Sequence, residues 1–304
     1  MIAASPKSGL QMKLQAYLDR IGFKGAVRAD VPTLNALHRA QALTVPYEAC
    51  DVFLGRPVSQ HLPDLYRKIV EDRRGGWCYE ANRLLAWAIE QAGFTVQLAT
   101  AGVYRRERGD SAWGNHVVLL IEAEGQRFLG DLGLGDALRL PMPLVEGDWS
   151  DGLRRFRLER LDSETWRFWN HAQGDPGDFD FRTGPANESL IAERHAAIQA
   201  DPSSVFRKTF QVYQMGNDGV RSILGRVLRT NGPEGETRVL IPDAASLGRH
   251  LADDFGLGEI DTAAAWPLIL ARHAEIFGAE DYLPGSGPLR NSVPSLTRTH
   301  DPGT

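Results

Sequence analysis

The sequence predicts an α+β protein whose helices and strands are segregated along the chain. Three observations carry this. Apolar residues recur at helical spacing up to about residue 93, alternate at period two from Phe94 onward, and return to helical spacing after about Asp243.

LQMKLQAYLDRIGF sets Leu10, Leu14, Tyr17 and Leu18 on one helical face. PTLNALHRAQAL opens with Pro32, which suits a first helical turn. HLPDLYRKIVED aligns Leu62, Leu65, Ile69 and Val70, and the helix after Cys78 aligns Leu84, Leu85, Ala88 and Ile89 before a stop at Gly93. FTVQLATAGVY, HVVLLIEA, QRFLGDLGL, RFRLERL, WRFWNHA, FRKTFQVYQ and RSILGRVLRT read as strands, with turns at GDPGDFDF and NGPEGE. LGRHLADDFGL and AAAWPLILARHAEIF close the pattern as helices, and the polar, Pro- and Gly-rich residues after about 285 read as a loosely held tail.

Composition narrows the function classes. The 304 residues are 42% hydrophobic and 24% charged, with a formal net charge of −5, so no basic stripe argues for nucleic acid. The N-terminal residues contain no long apolar run, and no window reaches the roughly eighteen apolar residues of a membrane span. Two cysteines, Cys50 and Cys78, make no disulfide framework and suit a reducing cytoplasm. No metal-binding motif is present, and the reading is a cytoplasmic enzyme.

RRGGWCYE, residues 73–80, concentrates the chemistry. Two glycines allow a tight turn immediately before a helix, and Cys78 stands at that helix's start. There the unpaired amide N–H groups and the positive dipole end favour a thiolate, and Arg73 and Arg74 add positive charge. A small apolar residue opening a helix is the plainer reading of the same position.

A thiolate nucleophile needs a base, and the base an orienting group. His116 opens HVVLLIEA and Asp131 falls in QRFLGDLGLG, with Glu124–Gly125 as the hairpin turn between them. A two-residue loop sets Ala123 opposite Gln126 and His116 opposite Gly133, so His116 and Asp131 leave one face as diagonal neighbours. On an apolar hairpin the two avoid a desolvation cost only by pairing. His38, His61, His171, His195, His250, His273 and His300 have no acid in comparable geometry, and Cys50 reads as packing.

RGGWCYE, the His116 strand and the DLGLG after Gly130 resemble the arylamine N-acetyltransferase family, in which Cys, His and Asp follow at these spacings. YLDRIGF, VPYEACDVFLGRPV, LYRKIVEDRRGGWCYEANRLL, DFDFRTGPANESLI, SSVFRKTFQV and ILGRVL extend the likeness over about residues 14–280. The resemblance implies an N-terminal helical bundle (1–95) carrying the nucleophile, a β-barrel-like domain (96–205) carrying His and Asp, and a C-terminal α/β lid (206–285), with 286–304 as the tail. It implies a papain-like triad of Cys78, His116 and Asp131, and ping-pong acetyl transfer from acetyl-CoA to an arylamine or arylhydrazine. No tightly bound cofactor and no metal is implied. Tyr47, Gly133, Leu134 and Gly135 would line the acyl and substrate pocket, and Arg74 would pair bidentately with Glu48 to anchor the nucleophile loop.

The chain departs from the family pattern at several positions. Tyr47, Ala49 and Cys50 replace Phe, Asn and Leu, Leu134 replaces an aromatic, and Gly130 replaces a larger apolar residue. Loss of the aromatic at 134 implies a roomier or less stacking pocket, and loss of the amide at Ala49 a rebuilt or weaker Arg74 anchor. Asp136 adds a negative charge beside the loop with no evident basic partner, while Arg105, Arg106 and Arg108, or Arg207 and Lys208, are either phosphate contacts or solvated charges. Three other activities remain open. The triad could release or cyclise a polyketide or acyl chain from an acyl carrier protein as an amide synthase. It could hydrolyse a substrate as a cysteine peptidase or transglutaminase-like enzyme does, or the fold could bind an aromatic ligand without catalysis.

Overall fold

The computed structural model describes residues 11–277. Leu10, His300 and the tail expected at 286–304 lie outside the described residues. The expected α+β architecture is present, with helices packed against a barrel-like sheet and a second, smaller sheet. Among the described residues no helix is long and apolar enough to cross a membrane.

The N-terminal part is helical for local reasons. Val31–Thr44 is capped by Asp30, whose carboxylate accepts the Thr33 N–H at 2.8 Å, and Pro32 sits in its first turn. Cys78–Gln91 stops at Gly93, where φ is +93°. The helix expected over residues 61–72 is interrupted. Leu62–Tyr66 is α-helical and Arg67–Glu71 widens into a π turn, a feature that often marks a functional site.

The larger sheet is antiparallel and runs Met142–Pro143, Gln126–Gly130, His116–Ala123, Thr95–Val103, Asp178–Arg182, Thr165–Trp169, Arg155–Arg160, Gly147–Ser150. Its two edge strands are joined in sequence by residues 144–146 alone, so the sheet curls until its edges approach one another. Residues 117–121 of HVVLLIEA are apolar without a break because both faces are covered there. Val117, Leu119 and Ile121 pack on the helices, and Val118 and Leu120 pack inside the barrel with Phe156, Phe168, Phe179 and Phe181. Burial of each such side chain contributes about 1.5–3 kcal/mol.

The second sheet runs Tyr47–Glu48, Gln211–Met215, Val220–Leu224, Val227–Gly232, Gly235–Leu240, all antiparallel. Its edge strand is thus donated by the N-terminal segment, close to the turn before Cys78. Val212 and Ile223 face a separate core with Leu247, Leu251 and Ile269 from the closing helices. FRKTFQVYQ is not one strand: Val205–Lys208 forms a helical turn begun by Ser204, and the strand starts at Gln211.

Candidate active site

The nucleophile turn is shaped by close backbone contact. Gly76 donates to Pro46 O at 3.2 Å and its carbonyl accepts from Glu48 N at 3.2 Å. A Cβ on Gly75 would lie 2.1 Å from Pro46 O, and one on Gly76 would lie 2.8 Å from Glu80 Cβ. Gly75 is required because the backbone at Pro46 lies against it, and Gly76 because Glu80 and Ile69 do; the left-handed residue of the turn is Arg73, at φ +53°. Cys78 then begins the helix, buried, with Trp77 and Tyr79 packed edge to face beside it.

The hairpin turns at Glu124–Gly125, both with positive φ, and pairs Ala123 with Gln126 as the sequence implies. The ladder ends at Leu119 opposite Gly130, so Asp131 lies beyond the strand. Side chains have claimed the backbone amides that follow. Asp131 N donates to His38 Nε2 at 3.2 Å, Leu132 N to Asn82 Oδ1 at 2.8 Å, and Gly133 N to Asp131 Oδ1 at 2.7 Å. At this open end of the hairpin His116 Nε2 meets Asp131 Oδ2 at 2.9 Å, both groups buried.

Cys78 completes the cluster: it lies beside the His116 ring, the two meeting at Gly133, and its side chain raises the ring's pKa. Burial pushes the His116 pKa down, but the Asp131 carboxylate and the Cys78 side chain outweigh it and hold it at about 10. The imidazolium is therefore the resting form near neutrality. A Cβ on Gly133 would lie 2.5 Å from Cys78 Cβ and 2.9 Å from His116 Cε1, so the loop backbone presses on both groups.

Two further residues secure Asp131, and neither was evident as a site residue in the sequence. Asn82 donates to Asp131 Oδ1 at 2.8 Å and to Val117 O at 2.7 Å while accepting from Leu132 N. It stands one helical turn after Cys78, and that spacing was the available signal. His38 receives the Asp131 N–H on Nε2, so its proton sits on Nδ1, which donates to Arg139 O at 3.1 Å. Burial lowers its pKa to about 4, consistent with a neutral ring. His38 falls on the apolar stripe of its helix, next to Leu34, Leu37 and Gln41.

The other expected site residues divide. Tyr47 is buried edge to face against Tyr213, at 5.9 Å between ring centroids, and burial followed by the nearby Cys78 pushes its hydroxyl pKa up. Gly135 has φ +78° and packs on Tyr213, 2.9 Å from where its Cβ would be. Leu134 is buried in the barrel core with Val118 and Phe168. Arg74 does reach Glu48, but Nε and Nη2 converge on one oxygen, Oε1, at 3.1 and 2.8 Å. The second oxygen takes the Cys50 N–H at 2.8 Å, which prevents the fork-to-fork pairing expected.

Asp136 is not uncompensated. It pairs with Arg154 and with His171 Nε2 at 3.1 Å, and against the opposing effect of burial these partners hold its pKa down. Arg105 binds Asp180 and Asp110, and Arg207 binds the Val52 and Phe53 carbonyls. Both are committed within the fold.

A family model described as N-acetyltransferase matches residues 30–262. The chain belongs to the arylamine N-acetyltransferase family. It is accordingly an acyltransferase. The arylamine N-acetyltransferase of Mycolicibacterium smegmatis is 29% identical over 275 residues, covering 88% of this chain and 99% of that protein. The Escherichia coli enzyme of the same name is 29% identical over 257 residues, 82% of this chain and 90% of its own length. The solved M. smegmatis arylamine N-acetyltransferase superposes with a TM-score of 0.75 at 28% identity, covering 90% of this chain and all of that one (100%). The Mycobacterium marinum arylamine N-acetyltransferase in complex with CoA has the same fold, with a TM-score of 0.76 at 24% identity over 84% of this chain and 98% of that one.

Proposed function

We propose that Cys78, His116 and Asp131 carry acetyl transfer from acetyl-CoA to an arylamine or arylhydrazine through a thioester on Cys78. The observation that carries this reading is the buried cluster in which Cys78, at the start of a helix, lies beside His116, whose Nε2 meets Asp131. The CoA complex of the M. marinum relative supports the donor. No observation favours a carrier-bound thioester as donor.

The Cys78 thiolate attacks the acetyl carbonyl, the bond to the CoA sulfur breaks, and that sulfur leaves as a thiolate that takes the His116 proton. Donor and product are both thioesters, so the step is close to balanced in free energy. Acetylation removes one of the two negative groups that stabilise the imidazolium, which lowers the ring's hold on its proton and leaves His116 neutral and able to accept one. The amine then attacks the Cys78 thioester, His116 accepts its proton, and the acetamide departs as Cys78 regains its thiolate. Asp131 fixes the ring and favours its charged form. Gly133 presses on Cys78, and Tyr47 and Gly135 both pack on Tyr213; the three would shape the acyl pocket, with Leu134 supporting it from the barrel core. Arg74 and Glu48 would brace the nucleophile turn.

Initial rates measured over a matrix of acetyl-CoA and arylamine concentrations test the scheme. A covalent intermediate predicts parallel double-reciprocal lines; lines that intersect, with activity retained in Cys78→Ala, would sink it.

A further inference from the structure

Lys68 lies in the π turn Arg67–Glu71, and its ammonium reaches the helix that Cys78 begins. Lys68 Nζ stands 2.9 Å from both oxygens of Glu80. It also faces Asp51 at 3.4 Å and Glu48 at 3.6 Å. Glu80 lies two residues after the nucleophile and is 1% exposed; its Oε2 accepts the Trp77 N–H at 3.2 Å, immediately before Cys78. Lys68 therefore grips the entry to the nucleophile helix from outside while Arg74 grips the turn before it through Glu48 and Asp51.

We propose that the Lys68–Glu80 pair is a positioning device for Cys78, holding the first turn of the nucleophile helix against the π turn. The proposal rests on the reading of Cys78 as nucleophile. Neither residue touches the reacting atoms; both act through the backbone of Trp77 and Cys78.

The surroundings make the pair sensitive to protons. Three carboxylates, Glu48, Asp51 and Glu80, share two cations, Lys68 and Arg74. The first helix adds Arg20, which donates to the carbonyls of Ile69 and Arg74. A polar cavity of about 620 Å³ opens beside the cluster, where Asp72 of the loop and Glu259 of the C-terminal part add negative charge and Arg67 and Asp64 face each other. Glu80 is the carboxylate least supported. Burial raises its pKa, Lys68 only partly offsets this, and the Glu48 charge raises it further, to about 7. The pair is thus a full ion pair only on the alkaline side of neutrality.

The test measures Cys78 alkylation by iodoacetamide, read by peptide mass, across about pH 6 to 8.5, beside acetyl transfer at fixed pH. The parent is expected to show a rise in alkylation rate centred near pH 7 as Glu80 ionises. Glu80→Gln should abolish that rise. Lys68→Met should move it to higher pH and slow acetyl transfer by about tenfold or more, and Lys68→Arg should recover most of both. A rise that persists in Glu80→Gln, or no rise in a parent whose Cys78 still accepts acetyl, overturns the positioning role alone. A parent that neither loads acetyl on Cys78 nor alkylates it ahead of Cys50 overturns the functional reading instead.

Discussion

Asn82 stands four residues after Cys78 on the same helix and donates to Asp131 Oδ1 at 2.8 Å. One helix therefore carries both the proposed nucleophile and a residue that holds the acid two contacts away. Asn82 also fixes the chain after Asp131 by accepting the Leu132 N–H.

Asn82→Ala should cost acetyl transfer about ten- to a hundredfold through a displaced Asp131. It also leaves the buried Asp131 oxygen and Leu132 N–H short of a partner, a loss of about 2–5 kcal/mol in stability. Asn82→Asp should be worse, because a second carboxylate would face Asp131. Steady-state kinetics and denaturant melts check both; parent-like kcat/KM in either variant would contradict the assignment.

Gly133→Ala tests the loop. Its Cβ would lie 2.7 Å from Cys78 Cα as well as close to Cys78 Cβ, and Cys78 cannot retreat from a helix start. Overpacking should cost about 1–3 kcal/mol in stability. The displaced sulfur and ring should cost about a hundredfold in kcat. A melt and a rate measured on one preparation separate the two effects.

Glu48 predicts acid lability. Burial opposes its charge, but Lys68, Arg74 and the Cys50 N–H outweigh that and lower its pKa to about 2. Its folded pKa lies below its unfolded value, so its contribution is present above about pH 4.5 and is lost as pH falls toward 2. Glu48→Gln should lose about 3–5 kcal/mol near neutrality and show a flatter acid limb. Denaturant melts from pH 2 to 7 read this.

Glu80 predicts the opposite slope. Its folded pKa is raised to about 7, so between about pH 4.5 and 7 the folded state binds more protons than the unfolded one. This residue's contribution therefore declines as pH rises through that window. Relative to the parent, Glu80→Gln should gain stability from pH 4.5 to 7; a difference that is flat or falls would contradict the burial argument. Glu48 and Glu80 share Lys68, yet their effects carry opposite signs because only Glu48 also has Arg74.

Much of the site was legible in the sequence because it is written in local patterns. A glycine turn before a helix and a two-residue hairpin loop both follow from short-range rules, whereas the strand parity invoked for His116 and Asp131 does not apply because the ladder ends at Gly130. What could not be read depends on contacts across the fold. Asp131 lies outside the strand because His38, 93 positions away in the chain, takes its N–H. Arg154 and His171 reach Asp136 from other turns of the barrel sheet. The π turn that carries Lys68 inward is invisible to apolar spacing, since Leu62, Leu65, Ile69 and Val70 fit an uninterrupted helix equally well. The second sheet takes its edge strand from Tyr47–Glu48, too short to register as an alternating run.

The most direct measurement is intact-protein mass after brief exposure to acetyl-CoA, with Cys78→Ala alongside. The account predicts one acetyl group on the parent, mapped to Cys78, none on the variant, and its loss when an arylamine is added. A folded parent that takes up no acetyl group, or a Cys78→Ala variant that takes one up equally, would contradict it.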